Sequence, residues 1–160
     1  MPRPYSLLIL LACVGALGAA LTAQFGFGLR PCVLCIYQRI PYLVAGLLAG
    51  AALLPAMPRR SVVLLLGLCA VAFAVNTGIA AFHVGVEQHW WAGLNACTGG
   101  AAQAQNIQDL QAMLAGPPPA RCDQIPWEMF GISMAGYNVF ASLVLACFAG
   151  WSARCVKEQA

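Results

Sequence analysis

Four long stretches with almost no charge decide what this chain can fold into: 6–25, 36–54, 61–82 and 132–151. Each approaches the roughly 20 apolar residues that cross a hydrocarbon core as a helix. A soluble alternative fails on surface area, because 160 residues that are 61% hydrophobic and 8% charged cannot hide their apolar side chains in one small core. The stretch 36–54 qualifies except for Arg39, whose charge sits near one end, where a long side chain reaches the interface or faces the bundle interior. The expectation is an all-α membrane protein, a four-transmembrane-helix bundle forming one unit over residues 1–160.

The first stretch has features of a cleavable signal, with weakly basic residues 1–5 and small Ala20 and Ala23. Its apolar run is longer than a usual signal core, and removing it would leave an odd number of spans with basic flanks on opposing sides. With four spans, Arg3, Arg59, Arg60, Arg154 and Lys157 fall on one side, and Arg30, Arg39 and Arg121 on or near the other. The cytoplasmic side carries the excess of Lys and Arg, so both termini are expected there. The outer side then has a short first loop, 26–35, and a long second loop, 83–130. A net charge of +3, used in orienting the spans, leaves no basic patch for nucleic acid.

Small residues recur at helix-contact spacing, as in Ala12 with Ala16, Gly15 with Ala19 and Gly46 with Gly50, a packing signal shared by many bundles. The spans show neither an internal repeat nor the multiple buried charges of an ion pathway. In the long loop, 101–115 reads as a short helix with Ile107, Leu110 and Leu114 on one stripe. Trp90, Trp91 and Trp127 suit the headgroup belt, and Glu87 and His89 read as surface groups. Pro117, Pro118 and Pro119 make a stiff lead into Cys122, able to hold that cysteine out for a partner.

Eight cysteines are many for such a chain, and topology divides them. Cys13, Cys69 and Cys147 fall within spans, where a thiol packs as a small apolar group, and Cys155 lies on the reducing cytoplasmic side; all four read as non-catalytic. Cys32, Cys35, Cys97 and Cys122 lie two in each outer loop, as two communicating disulfides require. Cys32 and Cys35 form a C-x-x-C at the start of the second span, where a helix N-terminus directs amide N–H groups at the sulfurs and favours thiolate. Arg39, four residues beyond Cys35, projects from the same helix face. Against redox chemistry stand a purely stabilising disulfide and half of a zinc site. Zinc would need two more ligands, and Cys97, Cys122, His83 or His89 have no spacing typical of structural zinc, so no metal is expected. A disulfide between Cys97 and Cys122 could also simply staple the loop, for about 3 kcal/mol on a loop-entropy estimate.

The run Pro31-Cys32-Val33-Leu34-Cys35-Ile36-Tyr37-Gln38-Arg39, with four spans and one cysteine pair per outer loop, resembles the disulfide bond formation protein B family, DsbB, across almost the whole chain. The resemblance implies a quinone-dependent thiol oxidoreductase of the inner membrane that keeps the periplasm oxidising together with its DsbA-like partner, a pathway known for that family. By the same resemblance, Cys97 and Cys122 form the disulfide attacked by a reduced thioredoxin-fold oxidase, with Cys97 taking the mixed disulfide. Cys122 then attacks Cys32, the more exposed of its pair, and Cys35 is freed to reduce ubiquinone or menaquinone. Arg39 is placed to hold a thiolate or polarise a quinone oxygen, and His83 matches a family histidine near the quinone or else anchors its helix at the interface. A donor near about −120 mV needs an oxidant stronger than glutathione, one that dissolves in the membrane. In departure from the best-known members, the second loop and tail are short and Cys122 precedes Asp123-Gln124-Ile125-Pro126-Trp127.

Rival readings are a vitamin K epoxide reductase-type quinone reductase, whose C-x-x-C precedes its last span, and electron export toward periplasmic reductases, for which Cys13, Cys69 and Cys147 are too scattered. A membrane scaffold with structural outer disulfides is the non-enzymatic alternative.

Overall fold

In a computed structural model the described residues are 3–94, 106–108, 111 and 120–158. Four helices carry the chain: α1 (Arg3–Phe25), α2 (Val33–Ala52), α3 (Arg59–Glu87) and α4 (Met134–Glu158). All four are long and apolar enough to cross a membrane. Two short strands, β1 (Glu128–Met129) and β2 (Ile132–Ser133), pair antiparallel just before α4. Phe130 and Gly131 make the turn between them, both with positive φ, at 54° and 74°. A two-residue hairpin loop with that handedness matches the twist of its strands.

The ends of the helices differ from the apolar stretches in ways that matter for the site. The second helix begins at Val33, so Cys35 lies in its first turn. The third runs on to Glu87 and takes His83 and Glu87 out of the expected loop. The expectation that the last span starts at 132 is corrected: Ile132 and Ser133 belong to the hairpin, and the helix extends to Glu158. Hydropathy alone could not separate these, because a short apolar strand and a helix start look alike in a running average.

The bundle is apolar outside and partly polar inside, as lipid dictates. Leu8, Leu11, Val14, Leu47, Leu64 and Phe140 are exposed. Within, Ile9, Cys13, Ala45, Ala49, Leu66, Cys69 and Phe73 form one buried cluster. Helix α3 packs most extensively on α4 and α2, while α1 rests mainly on α2. Small residues set that last spacing: a Cβ at Gly46 would stand 3.3 Å from Cys13 Cβ. Cys69 approaches the Ala45 carbonyl at 3.5 Å, whereas Cys147 is exposed on the lipid-facing surface and Cys155 is half-buried.

At the end of α3, Trp91 folds back over Gly85. Its indole N–H donates to the Phe82 carbonyl at 3.1 Å and its ring stacks on Phe82. An added methyl at Gly85 would lie 2.0 Å from the indole ring. Gly85→Ala is therefore expected to expel Trp91 and cost about 1–3 kcal/mol, as overpacking does; a red-shifted tryptophan emission together with a lowered unfolding midpoint checks this. The 101–115 helix and the Pro117–Pro119 segment lie almost entirely outside the described residues.

Candidate functional site

Cys32 is the N-cap of α2, with extended backbone, and its Sγ accepts the Cys35 amide N–H at 3.4 Å. Sulfur here takes the place of the serine or threonine oxygen that usually satisfies a first-turn amide. Cys32 Sγ also donates to Cys35 Sγ at 3.2 Å, so the described state is the dithiol.

Two expectations about Cys32 are corrected. It is not the exposed member of its pair: it is 5% exposed, and Cys35 is half-buried. Nor does the helix end win over the surroundings. The hydrogen bond donated to Cys35, then burial, push the Cys32 thiol up to about 12, against the lowering effect of His83. A raised thiol pKa keeps the neutral form, so Cys32 holds its proton at neutral pH. Alkylation of Cys32 in the reduced protein is expected to stay slow through pH 9. In Cys35→Ala, which removes the largest cause, its midpoint should move down; mass-spectrometric alkylation against pH reads both, and an unmoved midpoint would contradict the assignment.

Cys122 is fully buried and shares one apolar cluster with Cys32, Leu34 and Val86, with Cys35 packed against it. It is thus not held out for a partner, as its proline-rich lead suggested, but folded against the C-x-x-C. Beside it, Arg121 and Asp123 pair, which holds the Asp123 carboxyl below the usual carboxylate range. Cys97 lies outside the described residues.

A buried polar chain runs inward from the same point. His83 Nε2 stands 3.5 Å from Cys32 Sγ and 3.8 Å from Glu87 Oε1. His83 Nδ1 is 3.0 Å from the Gln38 side-chain amide, and Gln38 Oε1 accepts from Asn138 Nδ2 at 2.6 Å. Asn138 Oδ1 accepts from Tyr42 at 2.8 Å, and Asn76 donates to Ser142 Oγ at 2.7 Å. Buried polar groups in a membrane are costly unless partnered, and this chain of partners makes His83 orientation a property of three helices.

Glu87 is the residue that sequence reasoning misplaced. It is 4% exposed, and the second carboxylate oxygen accepts a hydrogen bond from Ser133 Oγ. Ser133 is oriented by the hairpin and by the Gly136 amide, which donates to the same Oγ at 3.1 Å. Only the i, i+4 spacing of His83 and Glu87 on one helix was available as a signal. His89, with positive φ, is exposed.

A cavity of about 870 Å³ opens beside the cysteines. Cys32, Cys35, Gln38, Arg39, His83 and Glu87 line its polar side, and Ala16, Ala19, Ala20 and Ala23 of α1 its apolar wall. Arg39 is half-buried there, donating to Gln24 Oε1 at 2.7 Å. A long apolar side wall with a few convergent polar groups is the make-up of a small-molecule site.

The family model for disulfide bond formation protein DsbB matches residues 2–152. The chain belongs to the DsbB family. It is 33% identical to disulfide bond formation protein B of Xanthomonas euvesicatoria pv. vesicatoria, over 95% of this chain and 92% of that protein. The same-named proteins of Xylella fastidiosa (strain Temecula1) and Idiomarina loihiensis are each 31% identical, over 85% and 89% of this chain and 80% and 81% of theirs. No solved structure matches the chain. The family are four-helix membrane proteins of disulfide bond formation, and the four helices described above fit that membership. The chain is a multi-pass membrane protein and a disulfide oxidoreductase.

Proposed function

We propose that this protein reoxidises a DsbA-like thioredoxin-fold dithiol oxidase in the periplasm and passes the electrons to a membrane quinone. The observation that carries the reading is the burial of Cys122, a second-loop cysteine, in one cluster with Cys32 and Cys35 beside a cavity that reaches between the helices. The membrane is the bacterial inner membrane, with both termini cytoplasmic and both cysteine-bearing loops periplasmic, because the basic residues are concentrated at the other end.

The exchange begins when a donor thiolate attacks Cys97 of a Cys97–Cys122 disulfide and Cys122 leaves as thiolate. Cys122 attacks Cys32 of the oxidised pair, and Cys35 leaves as thiolate beside the cavity. When the donor closes its own disulfide, Cys97 is released and takes Cys122 back. Cys32 then leaves, and the His83 Nε2 3.5 Å away is placed to supply the proton that Cys32 takes up. Each step exchanges one sulfur for another, and the donor disulfide formed equals the dithiol left at Cys32 and Cys35.

The cavity fits a quinone: it has room for a ring, an apolar helix face for the isoprenoid stem, and Arg39 and His83 as groups to hold carbonyl oxygens. The chemistry that a bound quinone supplies is the two-electron, two-proton oxidation of the Cys32–Cys35 dithiol. Gln38 keeps the imidazole oriented, and α1 supplies the apolar wall of the cavity beside the sulfurs.

The test is quinone dependence. With a reduced thioredoxin-fold oxidase and a soluble ubiquinone or menaquinone analogue, donor oxidation should continue for many turnovers. Without quinone it should stop once the two protein disulfides are consumed. Continued oxidation without quinone contradicts the proposal, and a purely structural role predicts no oxidation at all. Arg39→Gln is expected to raise the KM for quinone by about tenfold or more, the worth of one charge-assisted hydrogen bond, while Cys97 still forms its mixed disulfide with the donor.

A further inference from the structure

The dithiol and the histidine above it also have the composition of a metal site. We propose that the reduced protein binds one Zn²⁺ ion through Cys32 Sγ, Cys35 Sγ and His83 Nε2, leaving the fourth position open to the cavity, and that the bound ion arrests reoxidation of the pair. The three ligand atoms lie within 4.8 Å of one another, on two different helices. Zinc–sulfur bonds of about 2.3 Å and zinc–nitrogen bonds of about 2.0 Å make tetrahedral edges of about 3.8 Å between sulfurs and about 3.5 Å from sulfur to nitrogen. The observed separations are 3.2 Å between the sulfurs and 3.5 Å from Cys32 Sγ to His83 Nε2. The sulfurs must spread by about half an ångström, the edge from Cys32 to His83 already has its length, and the edge from Cys35 to His83 lies within 4.8 Å.

The surroundings are those of a metal-binding histidine, whose second ring nitrogen is held by a neighbour that fixes the ring. His83 Nδ1 meets the Gln38 amide at 3.0 Å. When the Gln38 and Asn138 amides turn over together, Nδ1–H donates to Gln38 Oε1 and the Nε2 lone pair faces the sulfurs. Glu87, anchored by Ser133 and 3.8 Å from His83 Nε2, adds a carboxylate beside the dication. Binding is a ligand exchange without change of oxidation state: two zinc–sulfur bonds and one zinc–nitrogen bond form, coordinated waters leave the ion, and the two thiol protons go to solvent. Two cysteines and one histidine with an open fourth position form a known zinc ligand set. The sequence hides it because Cys32 and His83 are 51 residues apart.

The arrest of turnover rests on the proposed function, but the binding does not. Full-length protein in detergent, reduced and freed of reductant under argon, is titrated with zinc chloride against a chromogenic chelator, and in parallel with cobalt chloride. One tight zinc per chain is expected, with thiolate-to-cobalt charge-transfer bands of a tetrahedral site. Protein oxidised at Cys32–Cys35 should lack that site, His83→Ala should bind at least about tenfold more weakly, and Gln38→Ala about 10-fold to 100-fold more weakly. Zinc should also protect Cys35 from maleimide, and a chelator should restore labelling. Equal zinc affinity in oxidised protein or in His83→Ala overturns the site. If metal-free protein makes quinol yet no zinc binds, the site alone fails; if zinc binds and metal-free protein makes no quinol, the functional reading fails.

Discussion

Cys35→Ala is expected to reduce quinol formation by the purified protein to the uncatalysed rate, a loss of at least about 1,000-fold, the scale seen when a reacting nucleophile is removed. Cys35 is the half-buried member of its pair, lines the cavity and accepts the hydrogen bond that Cys32 donates. Cys32 cannot replace it, since it is buried at 5% exposure and a single remaining thiol cannot close the disulfide that gives up two electrons. The variant should still fold, because a half-buried sulfur at the first turn of α2 contributes little packing, and the Cys35 amide that binds Cys32 Sγ is backbone. Quinol absorbance with reduced donor present reads the outcome. Undiminished quinol formation would remove Cys35 from the path of the electrons.

Cys122→Ser should be nearly as damaging to turnover, and more informative about the partner. With serine at position 122 Cys97 is a free thiol and reduced donor has no loop disulfide to attack, so turnover stops. A donor with a single active-site cysteine, supplied as its glutathione mixed disulfide, is expected to pass to Cys97 with release of glutathione and to stay there, because neither chain keeps a resolving thiol. Serine is close in size to cysteine, so the cluster of Cys32, Leu34 and Val86 that encloses position 122 should lose little. Non-reducing electrophoresis followed by mass spectrometry identifies the attached chain and the cysteine that holds it. Attachment at Cys32 instead of Cys97 would reverse the proposed order of the loops.

The spans were legible because lipid imposes a length and an apolarity that composition cannot disguise, and Cys32 and Cys35 because C-x-x-C at a helix start is a local pattern. Whatever depended on contact between distant segments was less visible. Glu87 looked like a surface group since carboxylates rarely enter a bundle, and its hydroxyl partner Ser133 lies 46 residues away on a hairpin that hydropathy had merged into the last span. Cys32 looked exposed since it sits at the end of a short loop; what covers it, Val86 and Cys122, comes from the third helix and the second loop. His83 could be placed at a helix end but not against Cys32, because the meeting of α2 with α3 fixes that contact. The Gln38–Asn138–Tyr42 chain had no sequence signature: each member is an isolated polar residue in an apolar run, and only packing of α2 with α4 pairs them.

The central claim is that donor electrons leave the protein only through the Cys32–Cys35 pair and only to quinone. Its most direct test is stoichiometry under argon: reduced thioredoxin-fold oxidase in excess over wild-type protein, with a soluble quinone, quantifying donor disulfide and quinol in the same sample. The account predicts one quinol for each donor disulfide, throughout the reaction. Donor disulfide accumulating well beyond the protein present, with no matching quinol, would contradict it.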